Sequence, residues 1–185
     1  MVSRFVRAFC ILGAALALAG CGFTGNLRAN PGFAPFRSPA EMHNTDRELA
    51  LSLGPIPVRM ARMASHVAFR DEPWIPEALK DVRAVRVYAY AIDGDVDIVS
   101  HELEQQKAEL VADGWHVVGV IREDGGLVSA LVMPTRANDV IQGLVVLYQD
   151  EEDLVLVNVI GHLRPETFGA VMNELDIEVP VLAWN

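Results

Sequence analysis

Apolar residues alternate at Leu49, Leu51 and Leu53 in RELALSLGP, which predicts a short half-buried strand closed by Gly54-Pro55. The period then changes. Ile56, Met60, Met63, Ala64 and Val67 recur at helical spacing and predict an amphipathic helix with that stripe inward, and Arg59, Arg62, His66 and Arg70 mark its other side. After a Pro-rich connection around Trp74, AVRVYAYAI from Ala84 to Ile92 alternates again and predicts a strand. Val99, Leu103 and Leu110 restore the helical period as far as Gly114, which stands where a C-terminal glycine closes a helix.

From Trp115 onward the pattern is a run of strands. Trp115 to Arg122 and Leu127 to Met133 flank Glu123-Asp124-Gly125-Gly126, a hairpin signal. Val140 to Tyr148 and Leu154 to Ile160 flank the acidic tip Asp150-Glu151-Glu152-Asp153, expected to be a solvated turn that also protects a sheet edge. A last helix is expected from about Pro165, burying Phe168, Val171, Met172 and Leu175. This order predicts an α+β fold, a mainly antiparallel sheet of about six strands with two to three helices mostly on one face.

Two of these strands, LVVLY and LVLVNVI, are apolar at nearly every position, so each should be covered on both faces. Val145, Leu147, Val155 and Val157, with Trp184 of the tail IEVPVLAW, are therefore the candidate interaction face. The cover is expected to be that tail, a second copy or another protein.

The amino terminus has a different character. Arg4 and Arg7 precede the apolar run CILGAALALAG, too short to span a bilayer comfortably, so residues 1–20 are expected to be a signal peptide. Leu18, Ala19 and Gly20 before Cys21 match a lipobox, which makes Cys21 the expected site of lipidation. The alternative is plain secretory cleavage that leaves Cys21 a thiol. With a lipidated Cys21, and Cys10 lost with the signal peptide, the mature chain has no cysteine for a disulfide, a thiolate metal site or a nucleophile. Multiple acyl chains would make the anchor permanent. Gly22 follows the cysteine in place of a retention aspartate, and by analogy with sorted lipoproteins this favours the outer membrane, facing the periplasm. Residues 21–46 read as a Gly-, Pro- and Asn-rich tether, 47–175 as one globular domain and 176–185 as an apolar tail.

Charge narrows the partners. The chain carries 25 acidic and 15 basic side chains, and loss of Arg4 and Arg7 leaves 25 against 13, a formal −12. Nucleic acid is a poor partner for that balance, and the body as a whole is badly placed for attraction to anionic headgroups. The candidate basic face, Arg59, Arg62 and Arg70, either touches phosphate or carboxylate groups or is a solvated face balancing nearby acids.

Chemical motifs fall short. In DGDVDIVSHELE the acids are spaced as in a calcium loop, but the sixth place, where the chain must turn on glycine, holds Ile98. Asp95 or Asp97 reads instead as an N-cap. HELEQ has Gln105 where a zinc protease needs its second histidine after His101. His43, His66, His101, His116 and His162 show no local metal spacing, and His116 and His162 read as half-buried structural residues. The expectation is no catalytic residue, no metal and no cofactor. In the tether, Phe23, Phe33 and Phe36 are either a docking motif or incidental.

Taken together, the lipobox, LSLGP before a helix, VRAVRVYAY, ADGW opening a strand, VIRED, and IQGLVVLYQDEEDLVLVNVIGHLRPE with its acidic hairpin resemble the bacterial lipoproteins grouped as domain of unknown function family 4252. The resemblance implies a small envelope lipoprotein with no agreed activity. The expected function is a lipid-anchored periplasmic binding or scaffolding module that engages an envelope protein partner or itself. An envelope-stress or signalling component is the alternative, and a cell-wall or lipid hydrolase comes last.

Overall fold

The computed structural model describes residues 27–36, 45–68, 74–123, 126–135 and 140–165. The elements are strand β1 (Thr45–Leu53), helix α1 (Pro55–Ala68), the short helix α2 (Trp74–Leu79), β2 (Val82–Ile92), helix α3 (Val96–Ala112), β3 (His116–Glu123), β4 (Gly126–Pro134), β5 (Ile141–Gln149) and β6 (Asp153–Leu163). A single 3₁₀ turn, Leu27–Ala29, precedes them. Among the described residues the strands form one sheet in the order β1-β2-β6-β5-β4-β3, every pair antiparallel. The fold is α+β, as the pattern predicts. Helix α3 carries the chain from β2 to the far edge, and the β3-to-β6 meander returns to pair with β2.

The acidic tip therefore joins two central strands and guards no edge. Asp150 builds it locally: Oδ1 accepts from the backbone N–H groups of Glu152 and Asp153, and Oδ2 accepts from the Tyr148 hydroxyl. α2 is the one element that the pattern leaves as connection, because Pro76 sits inside its six residues.

Helix α3 is closed at both ends by its own sequence. The Asp95 side chain accepts from the Asp97 N–H at 2.9 Å, so within DGDVDIVSHELE Asp95 is the N-cap of the helix. At the other end Gly114 takes φ +97°, Gly114 N–H donates to Val111 O, and Trp115 N–H donates to Leu110 O. This pairing ends the helix and brings Leu110 and Trp115 into one cluster.

Residues paired across an antiparallel ladder share a face, which sorts the core. Arg86, Asn158, Val145 and Leu131 form one row across the sheet, and Tyr88, Leu156 and Leu147 another on the same face. Val99, Leu103 and Leu110 of α3 pack here against Val145, Leu147, Leu154 and Leu156. The opposite face carries a second cluster of Val118, Val132, Ile141, Leu144 and Leu163.

The segment expected to be tether supplies the rest of the cover. Residues 32–36 cross the first face as a strap. Asn158, fully buried, donates through Nδ2 to Gly32 O and Leu144 O and accepts from Ala34 N–H through Oδ1. Arg86 donates to Ala34 O at 2.7 Å, and its guanidinium lies 4.2 Å from the Phe33 ring centroid and 5.4 Å from that of Phe36. Phe36 meets Tyr88 edge-on at 5.9 Å. These ten described residues, 27–36, thus correct the reading of 21–46 as tether throughout. Phe33 and Phe36 pack on Arg86 and Tyr88 of the chain's own sheet; Phe23 lies outside the described residues.

Candidate functional site

Helix α1 departs from its expected orientation. Val58 and Ser65 are buried, whereas Ile56, Met60 and Met63 are 51%, 58% and 64% exposed. The larger apolar stripe faces outward because the row three and four residues apart through Val58, Ala61, Arg62 and Ser65 packs inward. Pro55 opens the helix, where its missing N–H costs nothing, and Val58 N–H donates to Gly54 O.

Beside that stripe lies a cleft of about 330 Å³ lined by Pro55, Ile56, Val58, Arg59, Arg62, Lys80, Val82 and Arg83. Two expected basic residues, Arg59 and Arg62, are brought here; Arg70 lies outside the described residues. Lys80 and Arg83 join them from the α2–β2 connection, a convergence invisible along the chain. Arg62 is fixed by donating through Nη1 to Lys80 O at 3.2 Å.

The nearby carboxylates are engaged by one cation of the cleft, Lys80, and by Arg164 beside it. Glu77 pairs with Lys80 and with Arg164, and Arg164 Nε donates to Asp81 at 2.8 Å. Hydrogen bonds from Lys80 and Arg164 hold the Glu77 carboxyl below its usual range, and those to Asp81 and Glu77 raise Arg164 further. Five cations thus gather around two carboxylates on a protein whose sequence pI is about 4.9. The lining presents only cationic donors and apolar side chains. Such a set holds an anionic group beside a greasy one.

The other candidate residues are dispersed. Val145 and Leu147 are 0% and 1% exposed beneath α3 and the strap, while Val155 and Val157 are half-buried on the opposite face. The four do not form one interaction face: Val145 pairs with Asn158 and Leu147 with Leu156, and odd and even positions of β6 point to opposite sides. Trp184, the tail, the last helix beyond Pro165, and Leu18 to Cys21 lie outside the described residues. His116 and His162 are exposed rather than half-buried. His101 faces Gln105 at 2.9 Å on the surface of α3. Among the described residues, no helix is long and apolar enough to cross a membrane, and no cluster of three histidine, cysteine or acidic side chains has a metal-binding arrangement.

The sequence profile of the family described as Domain of unknown function (DUF4252) matches residues 50–171, and the chain belongs to that family. The match runs from within β1 through β6 and includes every residue lining the cleft. No curated protein and no solved structure matches the chain.

Proposed function

For this member of the DUF4252 family, we propose the role of a lipid-anchored binding or scaffolding module of the bacterial envelope, held at Cys21 in the outer membrane and facing the periplasm. The lipobox Leu18 to Cys21 supports the anchor, and Gly22 supports the address by analogy. One observation carries the binding role: the outward stripe of Ile56, Met60 and Met63 adjoins a cleft edged by Arg59, Arg62, Lys80 and Arg83. Exposing those apolar side chains forgoes about 1.5 to 3 kcal/mol each relative to full burial. An envelope component that covers them recovers part of it.

Photo-crosslinking in cells tests this reading. A photoreactive residue at Met60 should crosslink to an envelope component, protein or lipid, while the same residue at exposed Val117 on the opposite edge strand should not. Equal yields from both positions, or none from Met60, would contradict it.

A further inference from the structure

We propose that the α1 surface docks on anionic phospholipid headgroups of the bilayer that carries the anchor, so that the body lies on the membrane rather than hanging from it. The inference rests on the anchored-module reading above and supplies its partner.

Three observations converge. The first is the amphipathic arrangement itself: Ile56, Met60 and Met63 stand outward one helical turn apart, with Arg59 between them and Arg62 at the cleft, the layout of a helix that lies in a membrane interface. The second is charge. The formal −12 of the mature chain opposes a negative surface, but screening confines each charge to about 8 to 10 Å, so the nearby groups decide. There Arg59, Arg62, Lys80 and Arg83 line the cleft with Arg164 beside it; Lys80 and Arg164 pair with Glu77 and Asp81, so five cations against two carboxylates leave a local excess of positive charge.

The third observation is reach. Cys21 precedes Leu27, the first described residue, by six positions, a span of at most roughly 20 Å. From there the chain enters the strap, where Gly32 lies against Gln142 and Gly143, and Ala34 against Asn158 and Arg86. Gly143 pairs with Ile160 and Ile160 with Ala84, so the anchor-side residue Gly32 lies toward the end of the sheet from which β1 leaves for α1, and Ala34 reaches the middle row at Asn158 and Arg86. Docking of the strap thus shortens the tether and holds to the bilayer the end of the sheet that carries the basic cleft. A lipid surface fits better than a small soluble anion, because a soluble anion fills the cleft and leaves Met60 and Met63 in water.

The test uses the mature full-length lipoprotein with Met63→Cys labelled by an environment-sensitive fluorophore, reconstituted into vesicles of phosphatidylcholine alone or with phosphatidylglycerol. Emission should shift to the blue only with phosphatidylglycerol, and the shift should reverse in high salt. Arg59→Gln and Arg83→Gln should each weaken the docking constant about fivefold and so raise the phosphatidylglycerol fraction needed for the shift. Identical emission on both vesicles overturns the inference, as does a shift abolished by millimolar inorganic phosphate at constant ionic strength, or one that requires added envelope protein. Failure of the anchor is distinguishable: a chain without lipid does not float with pure phosphatidylcholine vesicles, whereas a lipidated chain floats whether or not α1 docks.

Discussion

Arg86 of β2 and Ala34 of the strap are joined by a 2.7 Å hydrogen bond from Nη1 to the Ala34 carbonyl oxygen, across 52 positions of sequence. The arginine is 7% exposed and also donates to the Tyr88 hydroxyl. A cation in the sheet's covered face is tolerated because carbonyl, hydroxyl and three aromatic rings surround it. Arg86→Ala should therefore release the strap and cost about 2 to 3 kcal/mol in denaturant unfolding. Limited proteolysis should cut the variant between residues 27 and 36 faster than the wild type.

Asn158 holds the same strap by two hydrogen bonds, makes a third to Leu144 O of β5, and is 0% exposed. Asn158→Leu keeps the volume but leaves Gly32 O and Ala34 N–H without their partner. The expected loss is about 2 to 4 kcal/mol. A double variant with Arg86→Ala should lose less than the sum, since both side chains secure one segment.

Backbone contact sets the third prediction. A Cβ added at Gly32 would stand 1.9 Å from the carbonyl oxygen of Gln142, whereas one added at Gly119 meets nothing within 4 Å. Gly32→Ala should detach the strap at a cost of about 1 to 3 kcal/mol, while Gly119→Ala should leave strap protection from proteolysis unchanged. Gly114→Ala is different again: space is open to 4.0 Å, but φ is +97°, so about 1 kcal/mol is lost through backbone strain alone.

Asp150 gives stability a defined pH dependence. The Tyr148 hydroxyl, then the Asp153 and Glu152 N–H groups, hold its carboxyl below the ordinary value of 3.8. The folded-state value is depressed, so the contribution is full above that ordinary value and is lost as pH falls through the folded one. Asp150→Ala should cost about 1 kcal/mol at neutral pH. The gap between variant and wild type should close below about pH 4.

The succession of strands along the chain, helix α3 with both caps, and the β3–β4 hairpin were legible because each rests on local chemistry: alternation, Asp95 and Gly114 at the termini of α3, and a glycine-containing two-residue gap. The order of the strands in the sheet rests on long-range pairing and was not. The strap was not, since its irregular backbone is satisfied by side chains 52 to 126 positions away. A sign of it was present. Asn158 and Arg86 each interrupt an apolar strand on its buried side, and a buried polar group demands a partner. Helix α1 misled for another reason. Periodicity locates an apolar stripe without saying which side the fold buries, and here Val58 and Ser65 prevailed over Ile56, Met60 and Met63. The cleft was half legible: Arg59 and Arg62 stand one turn apart on α1, but Lys80 and Arg83 reach them only through the tertiary fold.

Whether the body rests on the bilayer through α1 is most directly measured by depth. With Cys21 acylated the mature chain has no thiol of its own, so a spin label can be placed at Met63→Cys or Val117→Cys in turn and its collision rates with oxygen and a polar nickel complex compared on phosphatidylglycerol-containing vesicles. The label at 63 should favour oxygen, as in the headgroup–acyl boundary, and that at 117 should favour the nickel complex, as in water. Both labels in water, or the label at 117 immersed and that at 63 exposed, would contradict the account.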